Sequence, residues 1–212
     1  MKITWLGHSC FLLEDSKGRK LLTDPFDATV GYEVYKGNPD IVTISHNHFD
    51  HNYTRELKVN FKIINKSCMF NLDDIYIKGT PSYHDKDKGA KRGDNIIFTF
   101  RMDGYTLCHL GDLGHTLTNN DIEAIGDVDI LFIPVGGNYT INGKEASEVT
   151  KKINPKMVFP MHYKTTQVSL PLDGVETFLM HMKNASKIDS NTLVINDEIK
   201  ESLSVKILKT KL

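Results

Sequence analysis

Residues 45–52 read SHNHFDHN and follow directly on the run DIVTI of residues 40–44, so three histidines and one aspartate fall within six residues. The run before them is apolar and β-prone, which predicts a strand ending where the histidines begin. In an extended segment, residues two apart point the same way, so His46 and His48 can bind one metal ion together. Asp50 and His51 come next, where the chain is expected to turn into a short helix over HNYTREL, residues 51–57. That change of direction aims them elsewhere, at a second ion nearby. Imidazole and carboxylate donors suit zinc, manganese or iron. A surface cluster of histidines with no ligand role is the competing reading, and the apolar strand that leads into the cluster argues against it.

The rest of the chain supplies the setting. Its 212 residues fit one domain, taken as residues 1–212, with 40% hydrophobic and 25% charged residues. The formal net charge is -1, so no global field favours nucleic acid or an anionic membrane. Cys10, Cys68 and Cys108 are odd in number and widely spaced, as expected of buried thiols in a reducing compartment. Gly7, His8 and Ser9 interrupt the apolar N-terminal stretch, so it reads as a strand rather than a signal peptide. The expected location is cytoplasmic.

The first half reads as strands. ITWLGHSCFLLE and KLLTDPF flank the polar turn DSKGR, followed by DIVTIS, FKIINK, IYIKGTPSYH and NIIFTFRMDGYTLCHLGD, the last with a hairpin signal at Asp103-Gly104. The second half alternates. TNNDIEAIG, KEASEVTKKIN and GVETFLMHMKNAS read as helices, and DILFIPV, KMVFPMH, NTLVIN and LSVKIL as strands. This order predicts packed sheets covered by helices.

HNHFDH matches the H-x-H-x-D-H motif of the metallo-β-lactamase superfamily, and the resemblance continues along the chain. Asp24 in LLTDP resembles that family's aspartate after an early strand, and His84 in PSYHD falls where a third histidine is expected. Asp112 in HLGDLG resembles the bridging aspartate, and His162 in PMHY the last histidine. ITWLGHSCFLLE, PVGGNYT and PMHYKT look most like the branch containing ascorbate-6-phosphate lactonase and many metal-dependent hydrolases. The resemblance implies an α/β fold, a four-layer αββα sandwich with its site at the edge where loops from both sheets meet. It implies two divalent metal ions, zinc first, with manganese or iron as alternatives. His46, His48 and His84 would hold one ion and Asp50, His51 and His162 the other, with Asp112 bridging. His109 and His115 rival His84 as the third ligand. Leu113 stands where relatives often carry a threonine.

Asp24 is expected to hold a ligand histidine, although an Asp-Pro pair also forms turns. His8 and His109 are candidate supports behind the ligands. Tyr139, Thr140, Tyr163, Lys164 and His115 are candidate substrate contacts, with solvent exposure as the rival reading for each. Lys164 could bind a phosphate or carboxylate as a point charge. The loop KDKGAKR reads as solvated, or as a rim beside His84.

The expected function is a dinuclear metal-dependent hydrolase in which a metal-bound hydroxide attacks a small anionic ester or lactone, with Asp50 and Asp112 as its catalytic carboxylates. A small-molecule substrate is expected, with no nucleic-acid or membrane partner and no expectation about oligomeric state. A phosphodiesterase or ribonuclease of the same fold is one alternative. A non-catalytic metal-binding sensor is the other.

Overall fold

The computed structural model describes residues 1–58, 60–196, 198–200 and 202–210. Two sheets face each other. The first has the order β13-β1-β2-β3-β4-β5, built from β1 (Lys2–Gly7), β2 (Cys10–Glu14), β3 (Lys20–Thr23), β4 (Ile41–Thr43), β5 (Lys62–Ile64) and β13 (Thr192–Val194). The second has the order β12-β14-β11-β10-β9-β8-β7-β6. Its strands are β6 (Met69–Leu72), β7 (Ile75–Tyr83), β8 (Asp94–Met102), β9 (Tyr105–His109), β10 (Ile130–Pro134), β11 (Met157–Met161), β12 (Asn184–Ile188) and β14 (Ser204–Leu208).

Strand alternation places the core of the first sheet. Ile3, Trp5, Phe11, Leu13, Leu21 and Ile41 face the second sheet, while Leu12, Leu22, Val42 and Ile44 face the other way. Between the sheets, aromatic rings interlock: Phe11 lies 4.4 Å from Phe132, which lies 5.4 Å from Phe159, and Trp5 stacks on Tyr163 at 5.5 Å. β10 and β11 are buried at every position, as parallel strands covered on both faces are.

The outer layers differ. Over the second sheet lie α1 (Asn119–Ile125), α2 (Gly143–Ile153) and the single turn α3 (Glu176–Leu179). Helices α1 and α2 each start on a capping box, Thr118 with Asp121 and Asn142 with Glu145. Over the first sheet, among the described residues, the layer is a 3-10 turn at Ala28–Val30 with loops that bring Val30, Tyr32, Val168 and Leu172 onto Leu22 and Val42.

Three local expectations are corrected. Residues 3–14 are two strands joined by a tight turn at His8 and Ser9, with Gly7 opposite Cys10. Residues 51–57 form turns and no helix, because the Tyr53 amide is drawn across to the Pro25 carbonyl at 2.8 Å. The expected helix over residues 174–186 stops at Leu179, and the chain becomes β12, which pairs with β14 in parallel. There the unpaired edge of β14 outweighs helical spacing. No helix among the described residues is long and apolar enough to cross a membrane.

The parallel strands β3, β4, β9, β10 and β11 all deliver their carboxyl ends to one edge of the sandwich, where α/β sheets place their ligands. Two backbone hydrogen bonds clasp that edge across the sheets, Ile96 N to Ser45 O at 2.9 Å and His162 N to His8 O at 3.2 Å. Phe132→Ala, at the centre of the inter-sheet column, is expected to cost about 3–5 kcal/mol, read as a lower urea midpoint with an unchanged slope.

Candidate metal centre

Asp112 lies at the middle of the clasped edge. Its carboxylate Oδ2 sits 3.2 Å from Nε2 of each of His51, His84 and His162, and 3.9 Å from that of His46. These residues come from four loops: after β4, after β7, after β9 and after β11. His46, His48 and His84 have ring nitrogens within 4.8 Å of one another, as do the donor atoms of His8, Asp50, His51 and His162, and those of His46, His51 and Asp112. Every side chain here is buried except His48, which is partly exposed.

Beneath the centre lies Asp24, fully buried. It accepts from the Ser45 amide at 2.8 Å, the Ser45 hydroxyl at 2.6 Å and His51 Nδ1 at 2.9 Å. The Ser45 hydroxyl spends its proton on Asp24, so it accepts from His46 Nδ1 at 2.9 Å. One carboxylate therefore sets the tautomers of two rings and turns the free Nε2 of both His46 and His51 toward the centre. Asp112 is set from the other sheet: its amide donates to Asn95 Oδ1 at 3.0 Å, and Asn95 donates to Ser82 Oγ and the Leu110 carbonyl.

The electrostatics follow from burial and these pairs. His51 is pushed up, because Asp112 and Asp50 outweigh the burial that opposes its charge. Asp112 is held well below the usual carboxylate range, with His162 and His51 overcoming burial. His46 falls to about 3 through burial and the neighbouring His51, and His8 to about 4 through burial and His162. At neutral pH, His46 is thus an uncharged ring with a free lone pair.

The residues fit metal ions. Nε2 of His46, His51 and His162, together with Asp112 Oδ1, are buried without a hydrogen-bond partner. Such orphaned atoms are costly in a folded protein unless something is bound to them. The donors are imidazoles and carboxylates, the set that zinc, manganese and iron share; a cation at the centre would take the place of the proton that Asp112 and Asp50 favour on His51.

The rivals of His84 are committed elsewhere. His109 donates from Nε2 to the Ser9 carbonyl at 2.8 Å and accepts from the Gly111 amide at Nδ1. Both nitrogens of His115 are also used, Nε2 by the Tyr83 amide and Nδ1 on the Thr116 carbonyl, so its ring stays off the centre. His8 stands beside the centre, donating to Asp50 Oδ2 at 3.1 Å. Leu113 is fully buried in the core.

The other sequence candidates scatter. Tyr163 is buried against Trp5. Lys164 points its ammonium at the Val168 and Leu170 carbonyls, at 2.7 and 3.1 Å. Tyr139 and Thr140 border a groove of about 420 Å³ that reaches His84. Gly136, before them, has no room for a side chain: a Cβ would lie 2.1 Å from the His162 carbonyl. Gly136 therefore lets the chain pack against the backbone of the last histidine of the centre. A wider cleft of about 760 Å³ opens beside His46 and His48.

The sequence reading does not single out Ser45, Asn95 or Arg92. Ser45 begins the histidine stretch, and that position was the signal available. Nothing local marks Asn95 at the start of β8.

The loop of residues 85–93 is more ordered than its lysine-rich composition suggests. Asp85 accepts from the amides of Asp87, Gly89, Lys91 and Arg92 at 2.7 to 3.0 Å. The loop packs directly on Gly114, where a Cβ would lie 2.2 Å from the His84 carbonyl carbon.

A model of the Beta-lactamase superfamily domain matches residues 2–162. The chain belongs to the metallo-β-lactamase superfamily. It is 31% identical over 201 residues to a UPF0173 metal-dependent hydrolase of Methanosarcina barkeri, covering 79% of this chain and 85% of that one. It is 32% identical over 199 residues to another from Carboxydothermus hydrogenoformans, covering 79% and 87%. A crystal structure of a metallo-beta-lactamase superfamily protein from Thermotoga maritima superposes with a TM-score of 0.84, at 38% identity over 99% of both chains.

Two measurements test this geometry. Asp24→Asn is expected to keep the fold and lower metal affinity about 10- to 100-fold, and Asp112→Ala to bind fewer equivalents, both read by metal analysis beside circular dichroism. For the loop, burial opposes the Asp85 charge, but the Arg92, Lys91, Asp87 and Gly89 amides win and take its pKa down to about 2. The folded value lies below the unfolded value near 3.9. Its stabilisation is therefore present above about pH 4 and lost as pH falls through about 2. Hydrogen exchange, corrected for intrinsic rates, should show those four amides losing protection over that window in the native protein, and at every pH in Asp85→Ala.

Proposed function

We propose that the protein, a metal-dependent hydrolase, holds two divalent cations and cleaves a small anionic carboxyl ester or lactone. His46, His48 and His84 would hold one cation, and Asp50, His51 and His162 the other, with Asp112 shared between them. The observation that carries the reading is the set of orphaned Nε2 atoms of His46, His51 and His162 around Asp112. When bound, such a pair, zinc first by its donors or else manganese or iron, supplies an acidic water near neutral pH and positive charge for a developing oxyanion.

The chain's own residues do the rest. Asp112 contributes negative charge that lowers the mutual repulsion of two cations. Asp24, through His51 and Ser45, fixes ring orientation before substrate arrives, so little reorganisation is left for the reaction. Asp50, ionised and steadied by the His8 N–H, accepts a proton from the attacking water and passes it to the leaving oxygen as the acyl C–O bond breaks. No serine or cysteine nucleophile is required. Buried Cys10 and Cys108 both have thiol pKa values raised by burial, which suits structural thiols.

The partly exposed His48 and the wide cleft beside it favour turnover over a sensor role, because a structural metal site closes its coordination. The ester or lactone preference follows the resemblance of the ITWLGHSCFLLE, PVGGNYT and PMHYKT segments to the lactonase branch. The test is a matched panel of lactones, carboxyl esters and phosphodiesters, given to one preparation reconstituted separately with zinc, manganese or iron. Metal-dependent rates should be highest on lactones or esters and fall at least 100-fold in Asp112→Ala. Preference for phosphodiesters would overturn the substrate class. A folded, metal-loaded protein inert on the whole panel would transfer the reading to a sensor.

A further inference from the structure

An enzyme for anionic substrates needs a cation near its centre that is not already paired. Lys164 does not supply one, since its ammonium caps two loop carbonyls. Around the mouth of the centre, Lys86 is paired with Glu145 and Lys91 with Asp87. Arg92 has no carboxylate within ion-pair distance among the described residues. Its guanidinium lies instead over the Tyr139 ring, 4.6 Å from the centroid. Arg92 is also shared between the two openings of the site, bordering both the cleft beside His46 and His48 and the groove that reaches His84.

We infer that Arg92, its guanidinium over the Tyr139 ring, is the specificity-determining residue that grips a carboxylate or phosphate of the substrate while the scissile ester lies at the Asp112 centre. The inference rests on the hydrolase reading above and names which part of its substrate is recognised. A guanidinium lying against an aromatic face keeps its edge N–H donors in one plane, directed away from the ring. That fork matches a carboxylate or phosphate with two parallel hydrogen bonds. The backbone beneath is preset, because the Arg92 amide donates to Asp85 at 2.8 Å and the loop is closed by the Gly93 amide on the Gly89 carbonyl at 2.9 Å. Binding an anion there therefore orders one side chain rather than a loop, which keeps its entropic cost low. Asp94 borders the same cleft without reaching the guanidinium, so it leaves the Arg92 charge unpaired.

The test uses the zinc-loaded full chain and two esters with the same leaving group, neutral 4-nitrophenyl acetate and anionic mono-4-nitrophenyl glutarate. The readout is the ratio of kcat/KM for the anionic over the neutral ester. In Arg92→Gln that ratio should fall at least tenfold, with KM for the glutarate ester carrying most of the change. Arg92→Lys should recover part of the ratio by restoring charge without the planar fork, and Tyr139→Leu should lower it less than Arg92→Gln does. An unchanged ratio in Arg92→Gln overturns the inference while leaving the hydrolase reading intact. If the wild type turns over neither ester, the ester reading fails, and Arg92 is judged by calorimetric binding of glutarate to the same zinc-loaded proteins. Binding at least tenfold weaker in Arg92→Gln then supports the anchor. Equal affinities, or no binding to the wild type, reject it.

Discussion

The centre depends on a single buried carboxylate, Asp24. A fully desolvated anion survives only where its lone pairs are filled, and here the Ser45 amide, the Ser45 hydroxyl and His51 Nδ1 fill them. Each of those bonds also does something for the rings above. It fixes which nitrogen of His51 carries the proton, and through Ser45 it does the same for His46. Removing the carboxylate would leave both rings free to present a proton where a lone pair is needed. Asp24 also has a backbone φ of +39°, uncommon for any residue but glycine. The turn that makes its position possible is itself a cost that the surrounding structure must offset.

Asp24 shares that conformation with two neighbours. His8 and His162 both have φ of +51°, and Gly111, before Asp112, has +55°. The chain thus reverses into left-handed backbone at four points around one centre. Each follows a strand end, where the next residue is thrown sharply sideways instead of continuing along the sheet. The packed aromatics of Trp5, Phe11, Phe132 and Phe159 lie below these turns and supply the apolar burial that holds them. Function and strain occupy the same edge of the sandwich, and the core sits directly beneath it.

How much of this was legible in the sequence depends on the range of each interaction. His46 and His48 could be read because two-residue spacing at a strand end needs only local geometry. Asp24, His84, Asp112 and His162 were reached through motif order shared with a known family, since their approach depends on strands far apart in sequence. Ser45 and Asn95 escaped notice because each acts through a hydrogen bond formed only when loops from distant strands meet. Arg92 was hidden for another reason: a lysine-rich loop looks solvated until Asp85 is seen gathering four of its amides. The helical readings of residues 51–57 and 174–186 failed where an amide or a strand edge from elsewhere offered the backbone a better partner. His109 and His115 could be set aside only after the bonds of their ring nitrogens were known.

The two sheets contribute unequally to the centre. The first supplies His8, Asp24, His46, His48, Asp50 and His51, and the second supplies His84, Asp112 and His162. Any cation bound among them is therefore a rivet through the sandwich, joined to chain segments more than a hundred residues apart. Closing such long loops costs entropy before the contacts that reward it can form. The binding pocket exists only once the two sheets have docked, so a ligand that recognises only the finished pocket adds its own binding free energy to that docking. Metal supply in the cell would then govern the lifetime of the folded chain as well as its chemistry.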